Sequence, residues 1–85
     1  MKYACPVCGF NQMPFPPGDH NVCSCCGTEF GYHDRVRSHQ ELRMLWVAKG
    51  CPWFSNALAP PAGWNADAQM RKAGFADVRP AVPAV

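Results

Sequence analysis

Two short runs carry the reactive side chains of this sequence: Cys5-Pro6-Val7-Cys8-Gly9 and Cys23-Ser24-Cys25-Cys26-Gly27. Each contains Cys-x-x-Cys-Gly, and fourteen residues separate Cys8 from Cys23. A Cys-x-x-Cys turn bends two sulfurs round one ion. The glycine after it tolerates the left-handed backbone that lets amide N–H groups point at sulfur. Two such turns supply four thiolates in a tetrahedron, the closed geometry of structural zinc. The candidate ligands are therefore Cys5, Cys8, Cys23 and Cys26, holding one zinc ion per chain. Iron in a four-thiolate site has the same geometry, and spacing alone does not separate the two metals.

Other residues compete for the same role. Cys25 lies between two ligands and is expected to be a spectator thiol on the outside of its turn, with replacement of Cys23 or Cys26 as the alternative. His20, three residues before Cys23, offers an imidazole ligand at the cost of the symmetry between the two turns. His33 and His39 read as surface histidines near a helix start, and Cys51, beside Pro52-Trp53, as a small buried apolar residue. A dithiol redox role is the other use of Cys-x-x-Cys, but its usual context is a strand-to-helix junction in a larger α/β fold. Here both pairs end in glycine turns.

The elements that position these cysteines must be short. The chain has 85 residues, nine of them proline and seven glycine, with 48% apolar and 16% charged residues. That describes one small folded domain and excludes a multidomain enzyme. A domain of this size buries too little surface to fold on its core alone, so a staple is required. No apolar run of signal-peptide length precedes Cys5, and no stretch approaches the roughly 20 residues of a membrane span. The expected setting is cytoplasmic and reducing, which favours metal over disulfides and no membrane association.

The expected fold is a small metal-stabilised α+β unit. Residues 1–33 form a zinc ribbon in which each turn, or knuckle, closes a β-hairpin. Lys2-Tyr3-Ala4 and Phe10-Asn11-Gln12 flank the first knuckle; His20-Asn21-Val22 and Thr28-Glu29-Phe30 flank the second. Residues 34–75 form a helical segment of the same domain packed on the ribbon. Its main helix starts at the capping box Ser38/Glu41 and stops at Gly50. On a helical wheel Leu42, Leu45 and Trp46 share one apolar arc, with Met44, Val47 and Ala48 roughly opposite. A shorter second helix is expected from Ala66 to Ala73, capped by Asn65, stopped by Gly74 and anchored by Trp64, Met70 and Phe75. Residues 76–85, with Pro80 and Pro83, are expected to trail as a disordered tail.

The order of these motifs resembles the bacterial cysteine-rich CPCC-type zinc-ribbon proteins. The resemblance is carried by Cys5-Pro-x-Cys-Gly-Phe10, the Cys-Cys-Gly-x-Glu-Phe-Gly run from Cys25 to Gly31, and the helix with Leu42-Arg43 and Trp46. Gly50-Cys51-Pro52-Trp53-Phe54-Ser55 and Pro61/Trp64 complete it, so that residues 5–65 are covered. Ser24 departs from the pattern, which has proline there. The resemblance implies a small bacterial metal-binding protein with no assigned activity.

Catalysis is not expected. Four thiolates leave zinc no open position for water, and no nucleophile–base pair stands out; Glu29, His33 and Asp34 read as caps and solvated residues. Nucleic-acid binding is the alternative use of such a unit, through Arg35, Arg37, Arg43 and Lys49 with Tyr32, Trp46 and Trp53 nearby. The formal charge of +2 falls to about zero once four thiolates and a dication are counted, which weakens that reading. The favoured role is a zinc-stapled protein–protein interaction module, its partner another protein or a second copy of the chain as a homodimer, with Met44, Val47 and Trp53 as candidate contacts.

Overall fold

The computed structural model describes residues 2–75; the expected tail at 76–85 lies outside the described residues. The first half of the chain is two knuckles built alike. In the first, the Cys5 N–H donates to the Phe10 carbonyl (2.7 Å) and the Gly9 N–H to the Cys5 carbonyl (2.9 Å). In the second, the Cys23 N–H donates to Thr28 (3.0 Å) and the Gly27 N–H to Cys23 (2.9 Å), so the same two offsets recur. Beyond each turn the strand-type pairing is a single isolated antiparallel bridge, Tyr3 with Met13 and Val22 with Glu29, and the second knuckle adds His20 N–H to Phe30 O (2.8 Å) and Phe30 N–H to Asn21 O (3.1 Å). The β-hairpins expected on both sides of the knuckles are thus not formed as strands among the described residues. Pro14 and the bends after it end the first pairing, and the turn leading into the 3-10 segment ends the second.

A 3-10 turn spans His33–Arg35, followed by helix α1 (His39–Ala48) and helix α2 (Ala66–Lys72). The α1 start is the expected capping box: Ser38 Oγ accepts from the Glu41 N–H (3.0 Å) and Glu41 Oε1 from the Ser38 N–H (2.9 Å). It ends in a Schellman arrangement, with the Gly50 N–H on Val47 O and the Cys51 N–H on Trp46 O. The second helix ends the same way, Gly74 on Arg71 and Phe75 on Met70, after an Asn65 cap that accepts from Ala68. No helix among the described residues is long and apolar enough to cross a membrane.

The core sits inside the knuckles rather than between helices. Its buried apolar members are Cys5, Val7, Cys8, Phe10, Met13, Cys23, Cys25, Phe30, Trp46 and Met70. Helix α1 lies over this core on a face rotated from the expected Leu42/Leu45/Trp46 arc: Trp46 and Leu42 turn inward, and Leu45 does not. Arg43 and Trp46 are its buried residues, Leu42 and Val47 are half-buried, and Leu45, Met44 and Ala48 face solvent. The cause is Arg43, scored as polar yet only 7% exposed. Its Nε donates to the Val7 carbonyl (2.7 Å) and its Nη2 to the Pro6 carbonyl (2.9 Å), while the guanidinium lies 3.6 Å from the centroid of the Phe75 ring. This one side chain binds α1 to the first knuckle and Phe75 to both.

The remaining segments close over the knuckle glycines. A Cβ on Gly27, where φ is +80°, would stand 2.5 Å from Phe54 Cδ1; one on Gly9, at φ +86°, would stand 2.8 Å from Ala73 Cβ. The returning strand-like segment pairs with the second knuckle, Phe54 N–H to Cys25 O (3.0 Å) and Ser55 N–H to Ser24 O (2.9 Å). Phe10, Trp53 and Trp64 stack edge to face in sequence, with centroids 5.4 and 5.3 Å apart. Replacing Arg43 by Ala strands two carbonyls and a ring, and is expected to cost about 3 kcal/mol. Denaturant melts of the metal-loaded protein measure this. Arg43→Lys should recover only part of the loss, because one ammonium cannot reproduce the planar fork.

Candidate metal centre

Each knuckle presents its two cysteines inward because the tight turn folds the chain back within four residues and leaves both sulfurs on the concave side. The two concave sides face one another. As a result one ligand atom from each of Cys5, Cys8, Cys23 and Cys26 lies within 4.8 Å of all the others. Across the gap Cys5 Sγ is 3.8 Å from Cys26 Sγ, and Cys8 Sγ is 3.7 Å from Cys23 Sγ. Both separations are far beyond the roughly 2.05 Å of a disulfide. They match the edge of about 3.8 Å that a tetrahedron with metal–sulfur bonds of about 2.3 Å would have. The donor set fits one tetrahedral thiophilic ion.

Burial around the sulfurs is uneven. Cys5, Cys8 and Cys23 are essentially sealed, whereas Cys26 is half-buried. The Val7 N–H points at Cys5 Sγ (3.4 Å), and the Thr28 hydroxyl, in a residue only 6% exposed, lies 3.3 Å from Cys26 Sγ. These are the outer contacts that orient thiolates and delocalise their charge. Crowding also couples the thiols. Hydrogen bonding to Cys23 and then Cys26 drives Cys5 well above the ordinary thiol range, hydrogen bonding to Cys23, Cys25, Cys26 and Cys5 does the same for Cys8, and burial adds to both. Hydrogen bonds from Cys23, Cys5 and Cys8 hold Cys26 far below it. In physical terms, four negative sulfurs cannot share this volume unless a cation is among them.

No protein family, curated protein or solved structure matches the chain. The residues themselves therefore carry every inference about this centre.

The competing ligands fall elsewhere. Cys25 is fully buried rather than on the outside of its turn, and its sulfur accepts from Gln69 Nε2 (3.4 Å) instead of joining the four-cysteine group. The returning segment at Phe54 and Ser55 covers that side of the turn, which a sequence cannot show. His20 is largely exposed and pairs with Glu29 through Nδ1 to Oε2 (3.0 Å). Cys51 is half-buried, at φ +54°, and burial pushes its thiol up, with Asp67 and Cys25 adding to the shift.

Glu29, His33 and Asp34 do gather after the second knuckle, and their side chains contact backbone amides and two further histidines, His20 and His39. His33 Nδ1 accepts from the Glu29 N–H (2.8 Å), and Asp34 Oδ1 from the Gly31 N–H (2.7 Å). Asp34 Oδ2 lies 3.1 Å from His39 Nε2. Chiefly the Gly31 amide, and then His39, hold the Asp34 carboxyl below its usual range. The group pins the link between knuckle and α1, as caps do.

Two supporting residues escaped the sequence reading. Gln69, on α2, donates through Nε2 to the Cys8 carbonyl (2.9 Å) and accepts at Oε1 from Trp64 Nε1 (2.9 Å), so it ties three segments together. Nothing in its local pattern marks it. Thr28 could have been suspected from its place two residues after Cys26. Among single substitutions, Cys8→Ser should abolish metal binding and Cys25→Ser should retain it. Because Cys25 is in the core, its serine variant should still lose about 1 kcal/mol of stability. Metal content by elemental analysis, with thermal melts on the same samples, decides both.

Proposed function

We propose that Cys5, Cys8, Cys23 and Cys26 hold one zinc ion as a closed structural centre, and that the protein is a metal-organised binding module, not an enzyme. The observation that carries this is the mutual approach of four cysteine sulfurs to within 4.8 Å in an otherwise small core. Zinc supplies folding free energy there, about 10–16 kcal/mol for a structural site at neutral pH. A four-thiolate set leaves no open position for substrate or water, and the nearby acids and histidines are occupied with backbone and with each other. Zinc is preferred to iron because it is the commoner occupant of paired knuckles. The reading agrees with the CPCC-type zinc-ribbon proteins that the motifs resemble, and a cytoplasmic location would keep the thiols reduced.

The nucleic-acid alternative loses one of its cations, since Arg43 is spent on the first knuckle. The contacts expected for a protein partner also change. Val47 and Trp53 pack against the core, and of the three candidate residues only Met44, at 55% exposed, is fully available.

Purified protein should carry one equivalent of zinc per chain. A strong chelator should collapse the dispersed NMR spectrum, and zinc should restore it. A metal-free chain with an unchanged spectrum would refute the proposal. Thr28→Val should keep the ion yet weaken its affinity about tenfold, read by competition with a chromophoric chelator.

A further inference from the structure

A groove of about 610 Å³ runs between the second knuckle, the 3-10 turn and one side of α1. Its floor and apolar wall are Val36, Leu42, Leu45 and Trp46, and its cations are Arg35, Arg37 and Lys49. No aspartate or glutamate lines it. None of the three cations forms an ion pair among the described residues. The knuckle wall is Cys26, Gly27 and Thr28, so the groove borders the one cysteine of the four that is not sealed.

We propose that this groove binds an acidic peptide segment of a partner protein. Its apolar residues would lie against Leu42, Leu45 and Val36, and its carboxylates against Arg35, Arg37 and Lys49. The inference rests on the reading of the protein as a metal-organised binding module and names that module's surface and partner chemistry.

Charge selects the occupant first. Three unpaired cations around an apolar floor are complementary to a segment that alternates acidic and apolar residues. Exposure then argues against a small molecule. Drug-sized ligands bury most of their surface in their site, whereas Val36 is 84% exposed, Tyr32 61% and Leu45 44%. A surface so open needs an extended partner to cover it. Nucleic acid is disfavoured because Tyr32 is the one largely exposed aromatic side chain in the lining, Trp46 being buried, and a single ring beside an aliphatic floor offers one stacking position where single-strand binding uses several.

Among the described residues a second copy of this chain offers no acidic run. Glu29 is held by His20, Asp34 by Gly31 and His39, and Glu41 by Ser38. The remaining described acids, Asp19 and Asp67, are far apart in sequence and form no acidic run.

The test uses the full-length, zinc-loaded, isotope-labelled protein and three twelve-residue probes. One has leucines at helical spacing with glutamates between, one has lysines in place of the glutamates, and one has serines in place of the leucines. The glutamate–leucine peptide should shift backbone amides of residues 32–49 and leave the first knuckle unmoved. Arg35→Glu combined with Arg37→Glu, and separately Leu45→Glu, should each weaken it at least about tenfold. Leu45 is exposed, so its variant should keep fold and metal, which the same spectrum reports. The inference is overturned if no shift appears at millimolar peptide, if the serine or lysine probe binds as well, or if the variants bind unchanged. It is equally overturned if a single-stranded oligonucleotide shifts the same amides more strongly. Zinc content measured on each sample keeps the two readings apart. A zinc-loaded, folded protein that ignores the peptide removes the groove and leaves the metal centre, while a folded protein without zinc removes the module reading itself.

Discussion

Four sulfurs drawn within 4.8 Å of one another in a nearly dry interior are the constraint on which the other contacts depend. Like charges at that separation repel strongly, and burial removes the water that would screen them. The chain meets this by building two equal knuckles, each closed by the same pair of backbone bonds, so that the sulfurs converge from opposite sides. Four of the buried apolar residues are cysteines, which leaves little hydrocarbon to hold the fold by itself. The stability of the whole is thereby coupled to the occupancy of one small volume.

Tight turns also point carbonyl groups outward, and these need donors. Arg43 takes the carbonyls of Pro6 and Val7, Gln69 takes that of Cys8, and the amides of Phe54 and Ser55 take those of Cys25 and Ser24. Helix α1, helix α2 and the segment between them are therefore attached to the knuckles by polar contacts as much as by apolar area. Buried side-chain nitrogens and oxygens among the described residues all find partners. The arrangement explains how a helix with so mixed a surface can pack at all. Its buried stripe is organised round an arginine whose charge is shared between two carbonyls and an aromatic face.

The same packing leaves one side of α1 open. Once Arg43 faces the first knuckle, Leu45 must face away from it, and Leu42 is left at the edge beside Val36 and the second knuckle. The open groove is thus a consequence of how the helix is rotated, and the knuckle that forms one wall is held by the candidate metal ligands.

Local chemistry was legible in the residues alone. The paired Cys-x-x-Cys-Gly turns, the Ser38/Glu41 and Asn65 caps and the Gly50 and Gly74 stops all act over fewer than six residues, where spacing dictates geometry. The hairpins were overestimated because short flanks of mixed polarity say nothing of how soon the chain turns away. Tertiary structure alone decided the rotation of α1, the burial of Cys25 and the role of Gln69. Each depends on a partner 36 to 61 positions distant, or on a returning segment at Phe54. No local pattern encodes a hydrogen bond to a carbonyl that becomes available only once a remote turn has closed.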